Sequence, residues 1–339
     1  MVNKNYTIEM ISEEVVGVSP IMLENTGVNE LLSTKGKVKV NILALGDVGT
    51  NVLMGLKLMG GDVISEIGIF DLNQNQLKRL EMEFNQMNYP LPELAPSMPT
   101  VKILEEDELS DCDVFIFCAT KGVPELGTSG DVRMMQLEAN LGLVTAIGEK
   151  LKKRNYNGLI CVVSDPVDQL CMGMLKASGV SPGQVRGFGL GVMAARARYF
   201  ANRDERFTSY LTEGRAFGPH GEDLVIANSL VNYDDEISRE LTALTVKANL
   251  KVRELGYKPF LAPAISSAAI SILLTLRGEW NYGSCFVGEF EKQEGEEPVV
   301  KGAYLGMLSR FTTAGVQWED VSLPEVLYER IKKSYQRLI

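Results

Sequence analysis

The residue with the clearest chemistry in this chain is its single histidine, His220, in the sequence Gly-Pro-His-Gly-Glu at residues 218–222. Histidine is the only side chain whose unperturbed pKa lets it give and take protons near neutral pH. The glycines on either side would let a substrate or cofactor approach the imidazole closely. The pattern indicates a catalytic acid/base, and a purely structural histidine is the alternative.

A phosphate-binding loop is the second chemical signal. Residues 44–49 read Ala-Leu-Gly-Asp-Val-Gly between an apolar stretch and a helical pattern. Gly46 would let the backbone approach a pyrophosphate, and Gly49 would let the helix pack closely on the strand. Asp71, at the end of the next apolar stretch, would accept hydrogen bonds from the ribose of NAD and repel the extra phosphate of NADP. Alanine replaces the first glycine of the usual fingerprint, and a structural Gly-Asp turn is the alternative.

Alternating strand and helix patterns would position these residues. An amphipathic helix is predicted at 74–86, because Leu77, Leu80 and Phe84 recur at helical spacing. Strands are predicted at 37–45, 67–70, 101–104, 113–118 and 159–163, and further helices at 51–59 and 133–152. This order predicts an α/β fold with a Rossmann-type, doubly wound parallel sheet.

The second half of the chain has a different pattern. It predicts helices at 236–255, 263–276 and 324–338, and antiparallel strands at 283–290 and 299–308. We therefore expect an N-terminal extension (1–36), an NAD-binding domain (37–184) and an α+β catalytic, substrate-binding domain (185–339).

Composition excludes several classes of function. The chain has 34 basic and 44 acidic residues, a net charge of −10, which argues against binding nucleic acid or anionic membranes. No apolar stretch is long enough to span a membrane, and no signal peptide is evident. Five cysteines without a Cys-x-x-Cys pair, and one histidine, make a zinc site improbable and fit a reducing cytoplasm.

From residue 37 onward the chain resembles the NAD-dependent lactate/malate dehydrogenase family. Gly-Val-Pro at 122–124 resembles the start of that family's mobile loop, and Ser-Asp-Pro-Val-Asp at 164–168 resembles its (Thr/Ser)-Asn-Pro-Val-Asp segment. Residues 189–199, which contain Ala-Arg-Ala-Arg-Tyr, match the segment of the substrate arginine. Residues 218–222 match the catalytic-histidine segment, and Phe-Leu-Ala-Pro-Ala at 260–264 looks closer to the malate branch.

The resemblance implies a mechanism and a set of site residues. His220 would exchange the substrate hydroxyl proton while a hydride moves to or from the nicotinamide. Arg196 would bind the substrate carboxylate through two hydrogen bonds, with an ordinary salt bridge as the alternative. The resemblance also implies cofactor-binding roles for Gly46, Asp47, Val48, Gly49, Asp71, Ala119, Thr120, Gly122 and Ser164.

This chain departs from the family at the partner of the histidine. The family has an aspartate three positions before the arginine, which orients the histidine, and here that position is Met193. Methionine cannot accept the imidazole N–H as a carboxylate does. The family asparagine before Pro-Val-Asp is replaced by Asp165. We expect Asp165 to supply the missing carboxylate from another direction, with a solvated turn aspartate as the alternative.

The active-site loop departs as well. Without a gap, the specificity arginine of malate enzymes becomes Glu125, and the carbonyl-polarising arginine becomes Asp131. An insertion of two residues would instead bring Arg133 to the second place and Asn140 onto the asparagine that follows it. Acidic side chains would disfavour malate or oxaloacetate. They would favour a substrate with an amine or without a second carboxylate, unless they are simply solvated.

Two hypotheses of different classes follow. The first is an NAD-dependent oxidoreductase acting on a small 2-hydroxy or 2-oxo acid, with an amino or imino substrate as a variant. The second is a catalytically silent paralogue that binds NAD as a sensor or assembly subunit. The retained His220 and Arg196 favour the enzyme, whereas Met193 and the altered loop favour the silent protein. The resemblance implies a homodimer or homotetramer.

Overall fold

The N-terminal half of the chain forms a parallel sheet. The computed structural model describes residues 6–20, 36–91, 97–121, 132–221, 223–291, 298–312 and 314–339. The parallel strands are β1 (Val38–Leu43), β2 (Ile64–Phe70), β3 (Thr100–Ile103), β4 (Val114–Phe117), β5 (Leu159–Val162) and β6 (Val185–Gly187). Their spatial order, β3-β2-β1-β4-β5-β6, is that of a doubly wound dinucleotide-binding sheet. The predicted fold class is therefore confirmed.

Helices α2 (Asp47–Met59), α3 (Gln74–Gln86), α4 (Val132–Lys153) and α5 (Val167–Ser178) connect strands of this sheet. Helix α1 (Ile8–Val16) precedes β1, and α6 (Leu190–Ala201) follows β6. Every residue of β4 and β5 is buried, as expected for parallel strands covered on both faces. Within the described ranges, no helix is long and apolar enough to cross a membrane.

Antiparallel strands extend the same sheet. They are β9 (Asn281–Glu291), β10 (Val299–Thr312) and β11 (Gly315–Trp318), while β7 (Arg215–Phe217) and β8 (Val225–Ala227) form a separate pair. Gly187 of β6 pairs with Ser284 of β9, which joins the parallel and antiparallel parts into nine strands. The boundary between the two predicted domains, at residues 184/185, stays a prediction. Strand β6 follows this boundary in sequence but pairs with β5 of the first predicted domain.

The remaining helices are α7 (Tyr210–Glu213), α8 (Asp235–Glu254), a π-helix (Pro263–Ala269), α9 (Ile270–Leu276) and α10 (Glu325–Gln336). The segment 263–276, predicted as one helix, is thus a π-helical turn followed by an α-helix. Small residues let it approach its neighbours. A Cβ at Gly55 would lie 2.5 Å from the Ala269 Cβ, and one at Gly191 would lie 2.5 Å from the Ser266 carbonyl oxygen. π-Helical turns are frequent near functional sites, and this one adjoins α6.

The N-terminal helix α1 packs on the C-terminal part of the chain. The Trp318 indole N–H donates to the Glu9 carboxylate over 2.7 Å, and Lys332 pairs with Glu14 at 3.0 Å. Ile8 and Ile11 are buried in a cluster that includes residues of α10. The predicted N-terminal extension therefore contains a helix that docks on the C-terminal half.

Candidate active site

The phosphate loop is preformed between β1 and α2. A Cβ built at Gly49 would lie 2.0 Å from the Ala44 carbonyl oxygen, so only glycine lets the helix approach this closely. Gly46 is the N-cap of α2, and no atom lies within 4 Å of where its Cβ would be. A ligand can therefore approach the backbone at Gly46 and the helix N-terminus, as a pyrophosphate requires. The predicted cofactor residues Asp47 and Val48 follow in the first turn of α2.

Ala44 adopts the backbone conformation that the missing glycine would have. Its φ is 74°, in the left-handed region, and its N–H donates to the Phe70 carbonyl over 2.9 Å. An L-residue in this region carries a cost of about 1 kcal/mol. The loop thus keeps the shape expected of the fingerprint despite the substitution.

Asp71 ties the end of β2 to this loop. Its Oδ2 accepts the Leu45 backbone N–H over 2.7 Å, and its Oδ1 accepts the Asn73 N–H over 2.9 Å. Each carboxylate oxygen can accept more than one hydrogen bond, so these contacts orient Asp71 and leave capacity for ribose hydroxyls. The cradle at Gly46 and the acceptor at Asp71 together fit the adenosine diphosphate half of NAD.

A charge pair flanks the loop. Asp47, the first residue of α2, pairs with Lys258 at 3.3 Å. A carboxylate at a helix N-terminus is favourable on its own but opposes a second anion there. Lys258 compensates for part of that charge.

Loops after β4 and β5 are held together by Asn140 of α4. Its Oδ1 accepts from the Lys121 N–H over 3.0 Å and from the Thr120 hydroxyl over 3.3 Å. Its Nδ2–H donates to the Asp165 carbonyl over 2.8 Å. The Ser164 hydroxyl donates to the carbonyl oxygen of Ala119 over 2.7 Å. Three predicted cofactor residues, Ala119, Thr120 and Ser164, thus lie together where these strands end.

His220 lies against Asp165. The imidazole Nδ1 is 3.0 Å from Asp165 Oδ1, and the side chains are 18% and 46% exposed, respectively. A Cβ at Gly189 would lie 3.0 Å from the Cβ of His220, so glycine there makes room for the histidine. Gly218, with a φ of 88°, shapes the approach to His220 in a conformation that favours glycine. An ionised Asp165 accepts Nδ1–H and directs Nε2 to serve as the proton acceptor.

Arg196 lies on α6, one turn after Met193. Its Nη1 approaches the Met193 sulfur at 3.4 Å, and Met193 is only 2% exposed. Burial lowers the pKa of the Arg196 guanidinium, whereas the charge of Asp165 raises it. Within the described part of the chain, Arg196 has no ion-pair partner. A half-buried guanidinium of this kind can bind a substrate carboxylate.

Ser267 of the π-helix fixes the start of α6. Its hydroxyl donates to the Gly189 carbonyl over 2.7 Å and accepts the Val192 N–H over 2.8 Å. These bonds satisfy backbone groups at the helix start and set the position of the helix that carries Arg196.

Several predicted residues lie outside the described part of the chain, namely Gly122, Glu125 and Asp131. Arg133 lies in the first turn of α4, but its side chain is also outside that part. No group of acidic, histidine or cysteine side chains suited to a metal occurs among the described residues.

Asp168 is a site residue that sequence reasoning missed. It lies in the first turn of α5 and is 3% exposed. Burial raises its pKa to about 7, while a hydrogen bond from Ser284 and the charge of His220 lower it. The available signal was its place at the end of the Ser-Asp-Pro-Val-Asp segment at 164–168.

A family model for the NAD-binding domain of lactate/malate dehydrogenase matches residues 38–187. An L-lactate dehydrogenase of Treponema denticola is 29% identical over 196 residues, covering 58% of this chain and 59% of that relative. An L-lactate dehydrogenase of Mycoplasma genitalium is 28% identical, covering 55% of this chain and 57% of the relative. The chain thus spans less than two thirds of the length of these curated relatives.

Solved structures share the fold over most of the chain. A minor L-lactate dehydrogenase from Enterococcus mundtii superposes with a TM-score of 0.70 at 18% identity, covering 90% of this chain and 97% of that one. The malate dehydrogenase from Archaeoglobus fulgidus in complex with NADH gives a TM-score of 0.68 at 18% identity, covering 88% and 97%. At this identity the likeness shows the fold alone.

Proposed function

Since the chain is a distant member of the lactate/malate dehydrogenase family, we propose that it is an NAD-dependent oxidoreductase for a small 2-hydroxy or 2-oxo acid. The 3.0 Å contact between Asp165 and His220 carries this proposal, because it gives the histidine a carboxylate partner where Met193 cannot. The open backbone at Gly46 and the hydrogen-bond acceptor at Asp71 support NAD as the cofactor.

The proposed site divides the work among three side chains. When bound, NAD supplies the acceptor for the hydride from C2 of a 2-hydroxy acid, and NADH supplies the donor for the reverse direction. His220 takes the hydroxyl proton on Nε2, while Asp165 accepts Nδ1–H and stabilises the imidazolium that forms. Arg196 holds the substrate carboxylate with two parallel N–H donors.

The test combines binding and turnover in one sample. We expect NADH to bind in a fluorescence titration and to be oxidised by one member of a panel of 2-oxo acids with and without amino groups. Asp165→Asn should lower kcat about a hundredfold or more, because the amide cannot stabilise an imidazolium. His220→Ala should abolish turnover while NADH still binds.

Asp62→Asn is the matched control, since it makes the same charge change at the amino end of β2, on an exposed side chain paired with Arg277. Its turnover should equal that of the parent protein. Turnover that survives Asp165→Asn unchanged would contradict the proposed dyad.

A silent NAD-binding paralogue is the second candidate, favoured by the buried Met193 at the family's aspartate position. It predicts tight NADH binding with no turnover on any member of the panel. Nitrogen-15 shifts of the single imidazole test the contact with Asp165 itself, which favours the Nδ1–H tautomer in either candidate.

We also propose a homodimer or homotetramer in the cytoplasm. Apolar side chains remain exposed on and after α8, including Leu255, Tyr257 and Leu261. All five cysteines are free thiols, as a reducing compartment requires. Light scattering of the purified protein measures the oligomeric state, and a monomer at micromolar concentration would contradict it.

A further inference from the structure

The loop that carries His220 has backbone hydrogen bonds on either side of the histidine. The Gly218 N–H donates to the Gly306 carbonyl oxygen of β10 over 2.9 Å. The Leu224 N–H donates to the Gly221 carbonyl oxygen over 3.1 Å. Between these bonds the imidazole is half-buried, with 18% of the side chain exposed. The direction of the imidazole therefore depends on how firmly this backbone is held.

The end of the C-terminal helix α10 contacts this loop before and after the histidine. Ser334 lies in the last turn of α10 and is 3% exposed. Its hydroxyl donates to the Asp223 carbonyl oxygen over 2.7 Å. The same hydroxyl oxygen lies only 2.6 Å from where a Cβ at Gly218 would be, so glycine there makes room for it. One hydroxyl group thus contacts the backbone on both sides of His220.

An ion pair adds a second contact between α10 and the loop. The guanidinium of Arg337, the residue that ends α10, pairs with the Asp223 carboxylate. The Arg337 side chain is 54% exposed and that of Asp223 is 23% exposed, so the pair alone stabilises weakly. It acts, however, on the residue whose carbonyl oxygen accepts the Ser334 hydroxyl. The backbone and the side chain of Asp223 are therefore both attached to the same end of α10.

Helix α10 is itself fixed on both neighbouring elements. Tyr335, next to Ser334, is fully buried, and its hydroxyl donates to the Val287 carbonyl oxygen of β9 over 2.6 Å. Lys332 pairs with Glu14 of the N-terminal helix α1 at 3.0 Å. Close-packed interiors of this kind transmit position with little give. The place of Ser334 is thus set by the C-terminal half of the chain and not by the loop that it contacts.

We propose that Ser334 and Arg337 are positioning residues for His220. By closing the loop around the histidine, they hold its Nδ1 at 3.0 Å from Asp165. The Asp165 side chain is 46% exposed, so its own packing is too loose to fix the imidazole from that side. A displacement of about 1 Å at a reacting group can lower a rate a hundredfold. The kinetic part of this inference rests on the proposed function, whereas the placement of the imidazole does not.

Amide hydrogen exchange measures the closure of the loop directly. Ser334→Ala removes the hydroxyl, so the Leu224 amide should exchange about five- to tenfold faster. Ser178→Ala is the matched control, because Ser178 is also 3% exposed and donates to a backbone carbonyl oxygen over 2.6 Å in the last turn of a helix, α5. It should leave exchange at Leu224 unchanged. Equal exchange rates at Leu224 in the two variants would overturn the role of Ser334.

The single histidine allows a second readout that needs no turnover. Diethyl pyrocarbonate acylates imidazole nitrogen, and the chain has one imidazole, so the absorbance change reports His220 alone. Arg337→Gln should raise the acylation rate at pH 7 about two- to fourfold, because the loosened loop exposes the ring more often. Arg337→Lys keeps a cation for Asp223 and should restore most of the parent rate. Arg239→Gln, on a 59% exposed arginine paired with Asp235, is the matched control, and a rate equal to that of Arg337→Gln would overturn the role of Arg337.

Kinetics separate positioning from a general loss of stability. If the chain reduces a 2-oxo acid, Ser334→Ala should lower kcat about tenfold, while KM and NADH affinity change by less than about twofold. Ser178→Ala should keep the parent kcat, and an equal loss in both variants would overturn the proposal. If the parent protein turns over nothing while the exchange and acylation rates respond as expected, the oxidoreductase proposal fails and the placement of His220 by α10 stands.

Discussion

The candidate site has a cofactor half, residues 44–49 with Asp71, and a substrate half, Asp165, Asp168, Arg196 and His220. The two halves respond differently to substitution. In the cofactor half, Ala44 replaces a glycine and the backbone adopts the same left-handed conformation, with a φ of 74°. In the substrate half, Met193 replaces an aspartate, and a carboxylate from a different loop, Asp165, contacts the histidine. Recognition through backbone amides tolerates a change of side chain at modest cost. Chemistry done by a side chain needs another side chain to replace it.

The largest expected effect on the free energy of unfolding is at Gly49, which has the closest steric contact in the cofactor half. Gly49→Ala places a methyl group 2.0 Å from the Ala44 carbonyl oxygen, whose residue is hydrogen-bonded to Phe70 and cannot easily move. We expect the free energy of unfolding in urea to fall by about 3 kcal/mol. Gly46→Ala meets no atom within 4 Å and should keep its stability while binding NADH more weakly. Equal stability losses in both variants would contradict this distinction.

The stability of the substrate half should depend on pH through Asp168. The pKa of Asp168 is raised from 3.8 to about 7 in the folded chain, so the folded state binds a proton that the unfolded state has lost. The stability contribution of this proton is complete below about pH 4 and is lost as the pH rises through about 7. From pH 5 to 7, Asp168→Asn should therefore gain roughly 2.5 kcal/mol relative to the parent protein.

Urea unfolding at pH 5, 6, 7 and 8 measures this difference. Asp62→Asn is the control, because Arg277 lowers the pKa of Asp62 and its contribution is lost only at more acidic pH. Its difference from the parent should be constant over this range. A constant difference for Asp168→Asn as well would show that Asp168 is ionised throughout.

We expect substitutions of Arg196 and Arg198, two arginines on α6, to affect the KM for substrate differently. Arg196→Lys replaces two parallel donors with a single ammonium group and should raise KM about tenfold or more. Arg198→Lys changes an exposed side chain two residues away on α6 and should leave KM as it is. Equal effects of the two substitutions would mean that the helix responds to the charge of either residue and that Arg196 has no special contact.

Substitutions of the charge pair at the phosphate loop, Asp47 and Lys258, should change NADH affinity by a smaller factor. Asp47→Asn removes a negative charge from the N-terminus of α2 and should tighten NADH binding two- to fivefold at low salt. Lys258→Ala should weaken it by a similar factor, because Asp47 then faces the pyrophosphate without its partner. Both effects should shrink in 0.5 M salt, since exposed charges are screened.

Sequence reasoning predicted the regular parts of the fold because they follow from local pattern. The bounds of α3 agree with the prediction, since Leu77, Leu80 and Phe84 are buried at helical spacing and Asn73 accepts the Gln76 N–H at the start of the helix. β6 was missed because it has only three residues, and α6 because its own residues are mostly small and apolar and give only a weak amphipathic pattern. The π-helix at 263–269 depends on close packing against α2 and α6, which no local pattern encodes.

The site divides in the same way. The loop at 44–49 and Asp71 could be predicted because each is a local motif, and the structure places them together. The approach of Asp165 to His220 was a prediction from one missing aspartate, and the two residues do lie in contact. Asp168 was not predicted, because its importance depends on burial against Ser284, which is distant in sequence. The roles of all three residues stay predictions.

The smallest expected effect concerns how much Ala44 lowers the free energy of unfolding. Ala44→Gly removes the left-handed strain of an L-residue, about 1 kcal/mol, but adds backbone freedom to the unfolded chain. The net gain in the free energy of unfolding should be about 0.5 kcal/mol, with NADH affinity unchanged, because the loop already has its bound shape. Gly142→Ala, at an exposed position within α4 with no atom within 4 Å of the new Cβ, calibrates the unfolded-state term. If Ala44→Gly instead tightens NADH binding, the loop is not preformed. The cofactor half would then tolerate alanine at residue 44 only with a loss of NADH affinity.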